Sequence, residues 1–325
     1  MRALMSRVAG PPQSLTVEEV AAPAPGAGEV VVKVAFAALN FLDTLIIEDR
    51  YQTRPERPFS PGAEMAGTVA AVGPGVEDLK PGDRVVGYRG SGCCREQVAL
   101  AAAHVLRLPP EVSFEAAAGL AIAHGTTLYA LAERGELKPG ETLAVLGAAG
   151  GVGQAAVEIG KRLGATVIAC ASSPEKLAVA AALGADHLVD YSVEDLKLRL
   201  KALTDGEGVD VVYDPVGGEL AEAALRATGW RGRFLVVGFA GGDIPKIPLN
   251  LVLLKGCDVR GIFWGDMVRR EPETFRRTVG RLIGWLADGS LAAPHVDRIV
   301  GLEEVPAALE ALARRAVKGK VLVRP

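Results

Sequence analysis

The sequence predicts an α/β fold, a doubly wound parallel sheet inserted in a mostly-β domain. Three observations predict it. Residues 142–176 read TLAVLGAAGGVGQAAVEIGKRLGATVIACASSPEK: an apolar run, a small-residue turn, a helical period and a second apolar run. That is strand, turn, helix and strand, the crossover unit of parallel strands. Helices and strands alternate from about residue 122 to residue 262, as in a doubly wound sheet. Up to about residue 113 the chain instead shows short β-branched runs punctuated by Pro and Gly, which argues for a β domain. The tail ends in a further strand and returns to that domain. The expected division is therefore 1–121 with 263–325 around an inserted 122–262, with a cleft between the two domains.

Composition narrows the function. The 325 residues are enough for two domains, and 49% apolar against 23% charged residues allows each a core. A net charge of −3 gives no attraction for nucleic acid or an anionic membrane, so neither is an expected partner. No apolar run reaches the roughly eighteen residues of a membrane span. The first residues, MRALMSRVAGPPQSL, lack the apolar core of a secretion signal, and a cytoplasmic location is expected. Cys93, Cys94, Cys170 and Cys257 form no C-x-x-C pair, so no redox motif or zinc knuckle is signalled. Asn occurs only at 40 and 250, and Gln only at 13, 52, 97 and 154. Scarce amides with abundant Arg, Ala and Pro resemble a thermophile's usage.

The elements follow in order. Residues 1–25 read as a strand, a Pro-Pro turn and a strand. A strand follows over 30–35, then a short helix over 40–47 and a loop held extended by Pro55, Pro58 and Pro61. Strands lie within 61–76 and 81–88, with two more in 95–109, and helices fill 114–134. Val152, Ala156, Ile159 and Leu163 share one face of the first crossover helix. A helix (175–183), a strand (187–189) and a helix (193–203) follow. Next come a strand from 209, a helix over 219–227 and a strand with its turn in 231–242. The last strand of the insertion is 257–264. The tail holds a helix (274–287), a strand (296–300), a helix (305–314) and a strand (320–323).

The turn Ala148-Ala149-Gly150-Gly151-Val152-Gly153 offers backbone N–H groups and a helix N-terminus to a diphosphate. Ala148 replaces the first glycine of G-x-G-x-x-G. Gly150 and Gly153 keep the close-approach and helix-packing places. The second strand runs into Ser172, Ser173 and Pro174, with Lys176 beyond. A site for NADH usually has a carboxylate there, for the ribose 2′-OH. Hydroxyls and an ammonium suit a 2′-phosphate, which predicts NADPH. The same serines also suit the start of the next helix, and the two roles are compatible.

The segments ALNFLDTLIIEDRY, PFSPGAEMAGTVAAVGPGV, PGDRVVGY, HGTTLYAL, LGAAGGVGQAAVEIGKRLGATVIA, VDVVYDPVGG and GKVLV carry a resemblance. In this order they resemble the medium-chain dehydrogenase/reductase superfamily over essentially the whole chain. Within it the chain is similar to the zinc-independent quinone oxidoreductase (zeta-crystallin-like) branch. The resemblance implies a Rossmann domain inserted in a GroES-like catalytic domain. Zinc alcohol dehydrogenases place a Cys in the early helix and a His before Glu in G-H-E. Here those places hold Asn40 and Ala63, and only Glu64 is kept. No metal is expected.

The resemblance assigns Asn40 and Tyr51 to the substrate side of the nicotinamide and Thr127 to the nicotinamide end. The turn residues Ala149, Gly150, Gly151 and Val152 are expected at the diphosphate from their own backbone. Ser172, Ser173 and Lys176 fall at the 2′-phosphate, Tyr191 beside the adenosine, and Gly238, Phe239 and Ala240 near the nicotinamide. Arg315 reaches the cofactor from the C-terminal segment. The residues keep alternative roles. Asn40 is also a helix cap, and Asp43 either orients it or fills the first helical turn. Tyr51 is also a loop aromatic. His124 contacts ligand or is structural. Phe263 and Trp264 line the cleft or a dimer contact.

The expected reaction is hydride transfer from NADPH to a quinone in the inter-domain cleft. Asn40 and Tyr51 would hydrogen-bond the developing oxyanion, and water would supply the proton. A reductase of enals or enones, and an NADPH-binding sensor or interaction protein with little turnover, are the rival readings. Stoichiometric zinc would revive the alcohol dehydrogenase reading. The apolar edge strand between Cys257 and Trp264 predicts a homodimer.

Overall fold

The alternating half of the chain folds into a six-stranded, all-parallel sheet. In this computed structural model, which describes residues 1–325, its strands lie in the order His187–Asp190, Thr166–Ala171, Thr142–Leu146, Val209–Asp214, Thr228–Val236, Asp258–Gly261. The chain starts in the middle, winds to one edge, returns and winds to the other, which is the Rossmann order. Leu143, Ala144, Val145 and Leu146 are wholly buried, as a central parallel strand covered on both faces requires. The crossover helices are Gly151–Arg162, Pro174–Ala182, Leu196–Ala202, Glu219–Ala227 and Leu249–Lys255.

The chain divides into two compact units, Met1–Gly125 with Gly265–Pro325, and Thr126–Trp264. The first unit is built on a seven-stranded sheet. Its strands run Val296–Val300, Lys320–Val323, Glu29–Leu39, Glu64–Val72, Arg84–Tyr88 and Val105–Arg107, and Gln97–Ala101 also pairs with Glu29–Leu39. Two registers position the site. Val321 stands opposite Leu39, and Ala38 opposite Glu64. Lys320, Asn40 and Glu64 therefore converge at one end of three neighbouring strands.

Several elements depart from the expected ones. The helix expected over 193–203 is Leu196–Ala202, because Asp195 caps it by accepting from the Leu198 N–H; Val193 lies in the preceding turn. The strand expected over 257–264 is only Asp258–Gly261, and Trp264 opens a helix, Trp264–Arg270. Leu249–Lys255 was not anticipated, because Pro245 and Pro248 just before it read as loop. Tyr129–Arg134 continues the helix Leu120–Leu128 as a π-helical turn, which periodicity does not signal. No helix is long and apolar enough to cross a membrane.

Candidate functional site

Asn40 and Lys320 meet at Glu64, which is wholly buried at the start of its strand. Oε2 accepts the Ile122 N–H at 2.8 Å. Oε1 accepts from Asn40 Nδ2 at 2.9 Å and from the Lys320 ammonium at 3.0 Å. Lys320 also donates to Asn40 Oδ1 at 2.7 Å and is only 7% exposed. The three side chains close a ring in which every contact is a hydrogen bond. Lys320 was read from sequence only as the first residue of a strand. The one signal for it was an apolar strand opening on a charge.

Asn40 precedes the helix Phe41–Ile46, as a cap would, but its side chain turns away to Glu64 and Lys320. Asp43 takes over the helix start. Its Oδ2 accepts the Asn40 backbone N–H at 2.8 Å and its Oδ1 accepts the Gly62 N–H at 3.0 Å. It thus orients the Asn40 backbone, not the amide. Burial pushes the Asp43 carboxyl up to about 7; its two backbone donors oppose the rise and the Glu64 charge adds to it. Tyr51 is half-buried against the core, and its hydroxyl makes no hydrogen bond inside the protein. Burial first, then the Asp43 charge, raises its pKa, so it stays a donor at neutral pH. Cys93 and Cys94 are wholly buried, and desolvation pushes the Cys93 thiol up to about 12, so neither is a ready nucleophile. No three His, Cys, Asp or Glu side chains are grouped to hold a metal ion. Arg315 follows the helix Val305–Ala313 in a left-handed conformation, φ 56°, and is exposed.

In the second unit the glycine turn joins Thr142–Leu146 to Gly151–Arg162. Gly147, φ 60°, makes the sharp bend one residue before the place that Ala148 fills. Ala148 is wholly buried and its N–H donates to the Cys170 carbonyl. Gly150 caps the helix through its backbone alone. A Cβ on Gly153 would lie 2.2 Å from the Gly147 carbonyl oxygen, so only glycine lets the helix sit against the turn. A Cβ on Gly151 would meet nothing within 4 Å. The first helical N–H groups have no intrahelical acceptor, and the space beside Gly151 is open.

At the end of Thr166–Ala171, Ser173 caps the next helix and accepts the Lys176 N–H at 3.4 Å. The Lys176 ammonium donates to Ser172 Oγ at 2.9 Å. Tyr191 is brought alongside, its N–H donating to the Ala171 carbonyl. Gly238, Phe239 and Ala240 pack on the turn after Val209–Asp214: the Gly238 N–H donates to Asp214, and the Ala240 N–H to Pro215. Buried Asp214 shapes that turn by accepting the Val216 and Gly217 N–H groups, both at 2.8 Å. Thr127 is wholly buried; its hydroxyl lies 2.9 Å from the Tyr213 hydroxyl and 3.3 Å from the Val152 carbonyl. Tyr213 and Asp214 were missed from sequence, because they read as ordinary residues of a buried strand.

A Rossmann sheet with a glycine turn, joined to a GroES-like sheet, defines a nucleotide-dependent oxidoreductase fold. Residues 26–110 match the alcohol dehydrogenase GroES-like domain family, and residues 151–283 match the zinc-binding dehydrogenase family. The chain is 38% identical over 312 residues to quinone oxidoreductase-like protein 2 of Rattus norvegicus, covering 96% of this chain and 89% of that one. It superposes on the Escherichia coli quinone oxidoreductase complexed with NADPH with a TM-score of 0.93, at 30% identity and over 100% of both chains. It superposes on an NAD-dependent alcohol dehydrogenase with a TM-score of 0.89, at 31% identity and over 100% of both chains. The chain belongs to the medium-chain dehydrogenase/reductase superfamily, among its quinone oxidoreductase members.

Proposed function

We propose that this protein is an NADPH-dependent quinone oxidoreductase that works without zinc. The observation that carries the cofactor reading is the Ser172–Lys176 hydrogen bond at the end of Thr166–Ala171. No side chain of the strand end bears a negative charge: the residues there are Ala171, Ser172 and Ser173. A dianionic 2′-phosphate would gain an ammonium, two hydroxyls and a capped helix start. The open face at Gly151 suits a diphosphate. Bound NADPH supplies the hydride. Tyr51, with a free hydroxyl, donates to the reduced oxygen, and Asn40 lies in the hydrogen-bonded ring beside Asp43. What supports the reading without zinc is the content of the ligand places: Asn40 and Ala63 stand there, and an ammonium bonds both Asn40 and Glu64. A cytoplasmic homodimer completes the reading.

The test is a paired titration with NADPH and NADH, then turnover with 1,4-benzoquinone and a simple enone. NADPH is expected to bind at least about tenfold tighter, with Lys176→Ala erasing most of the difference. Equal or better NADH binding overturns the cofactor reading. Turnover of the enone alone moves the activity to C=C reduction. Stoichiometric zinc by metal analysis overturns the metal-free mechanism.

A further inference from the structure

We propose that Lys320 is a positioning residue for the reduction, acting through Asn40 by fixing which end of its amide is available. The inference deepens the proposed function and rests on its reading that Asn40 and Tyr51 face the substrate. An ammonium only donates, and a carboxylate only accepts. Between Lys320 at 2.7 Å and Glu64 at 2.9 Å the Asn40 amide has one satisfactory orientation, oxygen to Lys320 and nitrogen to Glu64. Its second N–H has the Ala38 carbonyl at 3.4 Å. The donors of Asn40 are directed inward, and what remains for a ligand is a lone pair of Oδ1.

Asn40 therefore recognises a donor, such as a hydroxyl, rather than the oxyanion expected from sequence. The oxyanion falls to Tyr51. The ammonium polarises the same amide and retains one of its own three N–H groups, since two are bound to Asn40 and Glu64. The lysine stem is held as well. A Cβ on Gly119 would lie 3.0–3.1 Å from Lys320 Cγ, Cδ and Cε, so glycine there makes room for it. Stability alone does not account for the arrangement, because a buried ion pair gains little over apolar residues of the same size.

The experiment compares wild type with Lys320→Met, Lys320→Arg and the double variant Glu64→Gln/Lys320→Met, which removes both charges together. Four quantities are read: thermal midpoint, NADPH affinity, kcat and KM for 1,4-benzoquinone, and the Asn40 side-chain amide resonances. The double variant is expected to stay folded and bind NADPH as before. Its Asn40 amide signals shift and its kcat falls about tenfold or more, as loss of a fixed geometry does. Lys320→Arg restores part of the kcat. A folded double variant with wild-type kcat, or with unmoved Asn40 signals, overturns the proposal. A wild type that turns over neither quinone nor enone instead defeats the proposed function, while the Asn40 signals still decide whether Lys320 fixes the amide.

Discussion

Asp43 shows how one residue couples the local structure to the surroundings. Its carboxyl is buried because it ties the start of the helix Phe41–Ile46 to Gly62. Burial raises its pKa to about 7, above the roughly 3.9 of an unfolded chain. Between those values the folded protein keeps a proton that the unfolded chain gives up. The group's contribution is thus fully present below about pH 4 and is lost as the pH rises through about 7, by up to about 4 kcal/mol. Asp43→Asn does not titrate. Its amide suits one of the two backbone donors and opposes the other, a constant cost of about 1–3 kcal/mol. Denaturant unfolding from pH 4.5 to 7.5 should show the wild type losing stability relative to Asp43→Asn. Parallel curves would mean that Asp43 is ionised throughout.

At the scale of the element, two glycines of the same turn have separable duties. Gly153→Ala drives a methyl into the Gly147 carbonyl and the Ala148 backbone, at 2.2 and 2.8 Å. The helix must move off the turn, at a cost of about 1–3 kcal/mol. Gly151→Ala meets nothing in the protein, and at this position, whose φ is not positive, alanine restricts the unfolded chain, a gain of about 0.4–1 kcal/mol. Its methyl occupies the space assigned to the diphosphate. Gly151→Ala should therefore keep or raise the melting temperature and weaken NADPH binding, while Gly153→Ala lowers both. NADPH binding unchanged in Gly151→Ala would remove the diphosphate from that face. This turn was legible in the sequence because glycine spacing reports backbone sterics directly. The parallel sheet was legible because the apolar runs alternate with helical periods. The Glu64–Lys320–Asn40 ring was not. Its members are 24, 256 and 280 residues apart in pairs, and only strand register brings them together. The helix Leu249–Lys255 was hidden for another reason: Pro245 and Pro248 just before it read as loop, and of its leucines only Leu251 enters the core while Leu249, Leu253 and Leu254 face outward.

Those outward leucines bear on the whole molecule. Asp258–Gly261 is the last strand of the parallel sheet and is hydrogen-bonded only to Thr228–Val236. Beside it, Leu249, Leu253, Leu254, Ile244 and Trp230 are each 70–79% exposed. Gly256 brings the chain to within 3.2–3.6 Å of the Trp230 ring, measured from an added Cβ, which ties the leucine helix to that tryptophan. An open strand edge flanked by an apolar helix is an aggregation hazard unless it is covered. A second copy would cover both at once, since a two-fold axis would pair the edge with itself and set each helix against its mate. Light scattering should give the mass of two chains. Leu253→Glu/Leu254→Glu should give one chain with unchanged circular dichroism, because neither side chain enters the core. A wild type with the mass of one chain would sink the dimer, and a double variant that stays dimeric would move the interface away from this edge.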